Sequence, residues 1–300
     1  TGKKTMGLVT DEIARLNIES ELKKLMYYEN APKASLEWGM NHIMFAPSKR
    51  VRPLLVLEAN LVYGEPDSDA YILAAAIELI HTYSLVHDDL PCMDNDELRR
   101  GVQTLHVLHG DAYGVLVGDA LLTEGYSMLA RYTKAEKLAS ILKIFGEKSG
   151  RRGMVYGQML DLEYEQKLSG EKKMSVEAVN EVNRYKTGCL LQLSLLAGAI
   201  NGGASDNELK EFDKLGAAIG DVFQIKDDIL DETSSTEVLG KPVGSDERNE
   251  KSSIVRFLGI SGAEDLMNKR KNDALQIIKE LPGNRDFFEK FLDFLVTREK

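Results

Sequence analysis

The chain of 300 residues holds two cysteines, Cys92 and Cys189, and seven prolines. Two cysteines without zinc-ligand spacing exclude a disulfide scaffold and fit a reducing cytoplasm. Scarce proline, together with 43% apolar residues, excludes a disordered chain. No run of 18 or more uncharged apolar residues is present, so no membrane span is expected. Strand-type alternation of Val, Ile and Thr is nearly absent. Basic residues are in deficit, 38 against 48 acidic, for a net charge of −10. A nucleic-acid partner usually demands a basic surface, so that class is set aside, although local basic pockets remain compatible. Thr1-Gly2-Lys3-Lys4 has no apolar segment behind it and reads as a processed end, not a signal peptide, with residues 1–8 flexible.

What is present is helical period. Tyr71–His87 reads YILAAAIELIHTYSLVH, rich in Ala, Leu and Ile. Gly114–Tyr132, Glu136–Ser149, Val176–Ile200, Asn207–Leu230 and Arg285–Thr297 read the same way. Breaks fall at Gly64-Glu65-Pro66, Leu90-Pro91, Asn201 to Ser205, Gly240-Lys241-Pro242 and Leu281-Pro282-Gly283. Asp67-Ser68-Asp69 and Ser205-Asp206 are N-cap signals. The expectation is one all-α domain over residues 1–300, with roughly ten or more helices at typical lengths. LLAGAI (Leu195–Ile200) and LAAA (Leu73–Ala76) predict close helix packing. Helices apolar on most sides belong in a core or at a subunit interface, so a homodimer and a large monomeric core both fit.

Two acidic clusters stand out. The first, from Asp88 to Glu97, holds five carboxylates in ten residues at the C-terminal end of an apolar helix. A helix C-terminus carries partial negative charge, so a cation should compensate there. Arg99 and Arg100 follow closely, and a divalent ion would do better. Upstream, Glu78, His81, Thr82, Asp88 and Asp89 share one helical face, which either meets water or lines a polar cavity. In the second cluster Gln224, Asp227, Asp228 and Asp231 follow i, i+3, i+4, i+7, with Gly220 and Asp221 a turn earlier. Leu215, Ile219, Val222 and Ile229 form the opposite, core face. Oxygen-rich clusters of this kind suit Mg²⁺, which takes one or two carboxylates plus waters and substrate phosphates. If the two helices face each other, the carboxylates with Mg²⁺ make a pyrophosphate clamp.

Basic groups complement the acids. Ser48-Lys49-Arg50-Val51-Arg52-Pro53 packs three cations into four positions, and Arg99-Arg100 follow the first cluster. Lys186-Thr187-Gly188 interrupts a helical pattern, where Gly can loosen the helix and let Lys186 and Thr187 reach a ligand. Lys241 and Lys251 lie beyond the second cluster.

Asp88-Asp89-x4-Asp94 followed by Arg99-Arg100-Gly101, paired with Phe223-Gln224-x2-Asp227-Asp228-x2-Asp231, resembles the trans-isoprenyl diphosphate synthases. The stretch HTYSLVHDDLPCMDNDELRRG is similar to bacterial farnesyl diphosphate synthases and related geranylgeranyl synthases. The likeness runs from about Pro32 to Lys251 and is expected to continue to the end of the chain. It implies an all-α bundle around a deep central cavity, usually a homodimer, and Mg²⁺ as cofactor, with three ions when substrate is bound. By this resemblance Asp88 and Asp94, with Asp89 in support, bind Mg²⁺ on the allylic diphosphate, and Asp227, Asp228 and Asp231 bind the third ion. The four-residue spacer before Asp94 is that of the bacterial type. Arg99, Lys186, Thr187, Gln224, Lys241 and Lys251 are the implied allylic diphosphate contacts. Lys49, Arg52, His81 and Arg100 are the implied isopentenyl diphosphate site. Gln158-x2-Asp161 matches a pair that orients the lysines and metal waters. Arg298 and Lys300 are candidates to close over the site. Two positions depart from the pattern: Pro47-Ser48 stands where the family has Gly-Gly, and Ser252-Ser253 where Thr is common. Ser is less free than Gly at φ > 0, which bears on the loop conformation and isopentenyl affinity.

The chemistry implied is Mg²⁺-dependent 1′-4 head-to-tail condensation of isopentenyl diphosphate with allylic diphosphates. Lys186, Thr187 and Gln224 are the implied catalytic residues. Tyr83 lies five residues before Asp88, about 7.5 Å along a helix. In the family an aromatic residue there is a chain-length floor that favours the C15 product; Ser84 beside it blocks weakly. The expected product is mainly farnesyl diphosphate, with geranylgeranyl diphosphate the alternative. Three rival readings fit less well. A class I terpene cyclase normally lacks the second aspartate motif and the Lys49, Arg52, His81 set. An HD-type phosphohydrolase needs His ligands that His42, His81, His106 and His109 do not supply. An inactive partner subunit tends to lose an aspartate motif, and both are intact here.

Overall fold

A computed structural model describes residues 12–165, 168, 173–239 and 253–299. The elements run α1 (Glu12–Met26), α2 (Leu36–Met44), α3 (Val51–Leu61), α4 (Ser68–Asp88), β1 (Leu98–Arg99), β2 (Val102–Gln103), α5 (Leu105–His109) and α6 (Asp111–Met128). After a 3₁₀ turn (Leu129–Arg131) come α7 (Ala135–Ser149), α8 (Met154–Tyr164), α9 (Val176–Asn183), a π-helical turn (Arg184–Gly188), α10 (Cys189–Gly202), α11 (Asp206–Leu239), α12 (Val255–Glu280) and α13 (Asp286–Thr297). Among the described residues the antiparallel hairpin β1–β2 is the one sheet, so the all-α expectation holds. The expected break at Gly240-Lys241-Pro242 and the end at residues 1–8 lie outside the described residues.

The chain divides into two compact units, the first formed within Thr1–Leu142 and Ala197–Gly203, the second within Lys143–Leu196 and Ala204–Lys300. In the first, α4 begins where the Asp67 carboxylate accepts the Ala70 N–H at 3.0 Å, the N-cap read from the sequence. Pro53 sits in the first turn of α3, where its missing N–H leaves no helical bond unmade. From Pro53 to Leu61 that helix is buried on every side. The α4 helix is long and apolar enough to cross a membrane by length and composition, but most of it is buried inside the protein. Its all-round apolar character is therefore that of a core helix. Gly198 confirms the close packing read from LLAGAI: a Cβ there would lie 2.0 Å from the Val56 carbonyl oxygen.

The break expected from Asn201 starts later, because α10 continues to Gly202. The Asn201 side chain explains the extension. Its amide donates to Asn60 at 2.7 Å and Asp67 at 2.9 Å, and its oxygen accepts from Tyr132 at 3.0 Å. These bonds hold the last helical turn against unwinding.

In the second unit Leu215, Ile219, Val222 and Ile229 are buried as expected, with Ile225 beside them. Ser205 and Glu208 form a capping box at the start of α11: the Glu208 carboxylate accepts the Ser205 N–H at 2.7 Å, and the Ser205 hydroxyl accepts the Glu208 N–H at 3.4 Å. The helical segment Val176–Ile200 is interrupted at Lys186-Thr187-Gly188, as expected: α9 and α10 are joined by the π turn. Asp221, a turn before the second acidic stripe, pairs with Arg270 at 3.3 Å.

Candidate active site

In the first unit the acidic C-terminus of α4 is compensated as the helix dipole requires. Arg99 donates to Asp89 Oδ1 through Nε at 2.8 Å and Nη2 at 2.6 Å, and to Asp96 at 2.7 Å. Asp88 and Asp89 are both buried, and so are Glu78 and Thr82. The polar stripe of α4 therefore does not face water. Burial is the largest influence on Asp89 and pushes its carboxyl up to about 6 despite Arg99. Its second oxygen, Oδ2, is buried with no hydrogen-bond partner. Asp94 is brought back toward Asp88, its N–H donating to the Asp88 carbonyl at 2.9 Å.

The basic segment ahead of α3 resolves into separate jobs. Arg50 is buried and gives itself to protein: to Glu19 at 2.8 and 3.1 Å, to Glu78 at 2.6 Å, and to the Met44 carbonyl. Among the three cations of the basic segment, its partners make it a structural ion. The left-handed position falls on Arg50 (φ 49°), not on Ser48. Arg52 donates to His81 Nε2 at 3.1 Å, so that nitrogen accepts and the imidazole proton sits on Nδ1. Burial, followed by the charges of Arg52 and Arg100, holds His81 well below its usual range and keeps it neutral. Arg100 reaches Glu78 at 3.3 Å and the Ile43 carbonyl at 3.3 Å. Lys49 is exposed.

Tyr83 is buried one helical turn from His87, with ring centroids 5.8 Å apart in an edge arrangement. Burial first, then Tyr126 and Asp88, push its hydroxyl up to about 12. The Ser84 hydroxyl donates to the His81 carbonyl at 2.8 Å, back onto its own helix.

The second unit joins most of the remaining candidates. Lys186 donates to Asp161 at 2.7 Å, the orienting contact read from Gln158-x2-Asp161. The Thr187 hydroxyl donates to Gln224 Oε1 at 3.0 Å, Gln224 Nε2 donates to Asp228 Oδ1 at 3.1 Å, and the Ile254 N–H donates to Asp228 Oδ2 at 2.7 Å. Asp228 is raised to about 6, first by burial, with Asp231 and Asp227 adding to it. Asp231 is exposed. Lys186 and Thr187 owe their place to the π turn, a widening of the helix often found at functional sites. Glycines admit that turn: a Cβ on Gly157 would lie 2.1 Å from the Lys186 nitrogen, and one on Gly220 would lie 2.9 Å from Gly188 Cα. Arg298 was read only as a tail candidate. It is buried over the Phe223 ring at 4.4 Å and donates to Asp227 at 2.6 Å and the Phe223 carbonyl at 3.0 Å. Lys241, Lys251 and Lys300 lie outside the described residues.

These donors fit Mg²⁺. Among the described residues no three His, Cys, Asp or Glu side chains already make a metal cage. Each cluster instead holds at least three aspartates in a short segment, of which a Mg²⁺ ion takes one or two when waters and substrate phosphates complete its shell. The orphan Asp89 Oδ2 and the two carboxyls raised by burial are what a hard cation would relieve.

Residues 33–291 match the polyprenyl synthetase family. The chain is 36% identical to a farnesyl diphosphate synthase of Micrococcus luteus, over 95% of this chain and 96% of that protein. Its structure resembles an apo FPP/GFPP synthase of Zymomonas mobilis, with a TM-score of 0.81, 28% identity, and coverage of 94% of this chain and 95% of that one. It also resembles a geranyltransferase of Helicobacter pylori complexed with magnesium and isoprenyl diphosphate, with a TM-score of 0.77, 30% identity, and coverage of 94% and 93%.

Proposed function

The chain belongs to the polyprenyl synthetase family, and we propose that it condenses isopentenyl diphosphate head to tail with dimethylallyl and then geranyl diphosphate, giving mainly farnesyl diphosphate and pyrophosphate. The observation that carries this reading is the linked set Thr187–Gln224–Asp228, with Lys186 held by Asp161. It supports a site with basic, hydroxyl and carboxylate groups fixed before substrate arrives.

Asp88, Asp89 and Asp94 in the first unit, and Asp227, Asp228 and Asp231 in the second, are the proposed ligands of three Mg²⁺. Bound Mg²⁺ supplies positive charge to the departing pyrophosphate. Lys186, Arg99, Lys241 and Lys251 add theirs, and the allylic C–O bond breaks to leave a delocalised cation. The Thr187 hydroxyl donates its one hydrogen bond to Gln224, so its oxygen lone pairs are left for that cation. Lys49, Arg52, Arg100 and neutral His81 hold isopentenyl diphosphate, whose double bond attacks the cation. The pyrophosphate just released takes the proton then lost. Buried apolar residues of helices such as α4 keep water from quenching the cation. Chelation with EDTA is expected to abolish turnover, and added Mg²⁺ to restore it; turnover that persists in chelator argues for different chemistry.

Tyr83 is the proposed floor, with Ser84 a weak block beside it. Tyr83→Ala is expected to move the product from C15 toward C20 and longer, read by chromatography of the dephosphorylated prenols. An unchanged product pattern removes the floor assignment. The whole chain is proposed to act as one catalytic domain in a cytoplasmic homodimer. Val115 and Leu116, apolar and exposed on α6 at 40% and 56%, support a subunit contact. One exposed and one buried free cysteine suit a reducing compartment.

A further inference from the structure

Two arginines in the first unit hold backbone conformations that arginine rarely adopts. Arg50 has φ 49° immediately before α3. Arg100 has φ 55° and Gly101 φ 80°. These two form the two-residue turn of the hairpin in which Leu98 pairs with Gln103 and Arg99 with Val102. A turn with φ > 0 at both central residues favours Asn-Gly, Asp-Gly or Gly-Gly, not Arg at its first position. Such strain persists where the surroundings over-determine it, and it clusters at functional sites.

Here one atom does much of the determining. Glu78 Oε1 accepts from Arg50 Nη1 at 2.6 Å and from Arg100 Nη2 at 3.3 Å. Glu78 is buried, 1% exposed, in the middle of α4. The remaining donors of Arg50 go to Glu19 and the Met44 carbonyl, and Arg100 also reaches the Ile43 carbonyl. Without the Glu78 charge, two guanidinium groups would meet across a buried oxygen that no longer pairs them. The isopentenyl diphosphate set hangs on this point. Arg100 is bonded to it directly. Lys49 and Arg52 flank Arg50 in the chain. His81 lies one turn further along α4 and accepts from Arg52.

We propose that Glu78 is a positioning residue for the isopentenyl diphosphate subsite, clamping the loop before α3 and the turn of the β1–β2 hairpin to one point on α4. The proposal rests on the subsite reading above. It makes Glu78 act through Arg100 and Arg50 without touching substrate.

The test measures KM for isopentenyl and geranyl diphosphate separately, with kcat and the melting temperature, in Glu78→Gln, Glu78→Asp and Arg100→Ala. Glu78→Asp keeps the buried charge but withdraws it by one methylene, so it reads the same contact if Glu78→Gln does not fold. The expected result is a rise of about 10- to 100-fold in KM for isopentenyl diphosphate, the range for losing a hydrogen bond to a charged group. KM for geranyl diphosphate should stay within about threefold, which is under 1 kcal/mol. A lowered melting temperature with both KM values unchanged, or both raised together, would make Glu78 a stability residue only and overturn the proposal. If Arg100→Ala leaves the isopentenyl KM unchanged, the subsite reading itself fails and the proposal falls with it.

Discussion

Asp88→Ala is expected to lower kcat by about 10²- to 10⁴-fold, as is Asp227→Ala, because each removes a proposed ligand of the Mg²⁺ whose charge is worth several kcal/mol to the leaving pyrophosphate. Loss of fold should be small. Asp88 ends α4, where a negative side chain opposes the helix dipole, so its removal relieves a local repulsion. Asp227 is paired with Arg298, and Asp227→Ala leaves Arg298 its Phe223 carbonyl and ring contacts. Steady-state kinetics beside thermal melting separates the two quantities. Near-normal turnover in either variant contradicts the assignment of that aspartate to metal.

Gly157→Ala is expected to be nearly as damaging, although Gly157 has no chemistry of its own. The added Cβ would sit 2.1 Å from the Lys186 nitrogen and 2.6 Å from Lys186 Cα and the Tyr185 carbonyl carbon. All three are backbone atoms, so the π turn and α8 must move apart. A displacement of about 1 Å in a positioned group can cost about 10²-fold in rate, and the overpacking costs about 1–3 kcal/mol of stability. Lys186 would lose its 2.7 Å contact with Asp161, which lies on the same helix as the new methyl. Gly146→Ala is the matched control, since a Cβ on Gly146 meets nothing within 4 Å. That change should keep full activity and gain up to about 1 kcal/mol from helix propensity. Equal activity in both variants would mean that the close approach at Gly157 does not hold Lys186 in place.

The helices were legible in the sequence because their signals are local. Apolar residues recur every three or four positions, Asp67 and Ser205 stand at helix starts, and the acid motifs are continuous runs. Partners of charges were not legible, because they are set by packing across long separations. Arg50 and Glu78 lie 28 residues apart, and Arg298 and Asp227 lie 71 apart. Three cations within four positions look alike in sequence, yet burial makes Arg50 a structural ion and leaves Lys49 exposed. The π turn was visible only as an interruption at Lys186-Thr187-Gly188. A π turn leaves no residue-type signature of its own, and the glycines that admit it come from other helices, Gly157 on α8 and Gly220 on α11.

Placing the carboxylates changes the meaning of the net charge of −10. Asp88, Asp89, Asp227 and Asp228 lie in short segments of α4 and α11 or at their ends, three of them buried. In the proposed site these groups receive cations, and through cations diphosphates, although the overall charge points away from anionic ligands.

The most direct measurement is incubation of the purified chain with dimethylallyl diphosphate, labelled isopentenyl diphosphate and Mg²⁺, followed by chromatography of the products. The account predicts label in a C15 prenyl diphosphate, with pyrophosphate released in step. Phosphate release without label in a longer prenyl chain, or a cyclic hydrocarbon formed without isopentenyl incorporation, would contradict it.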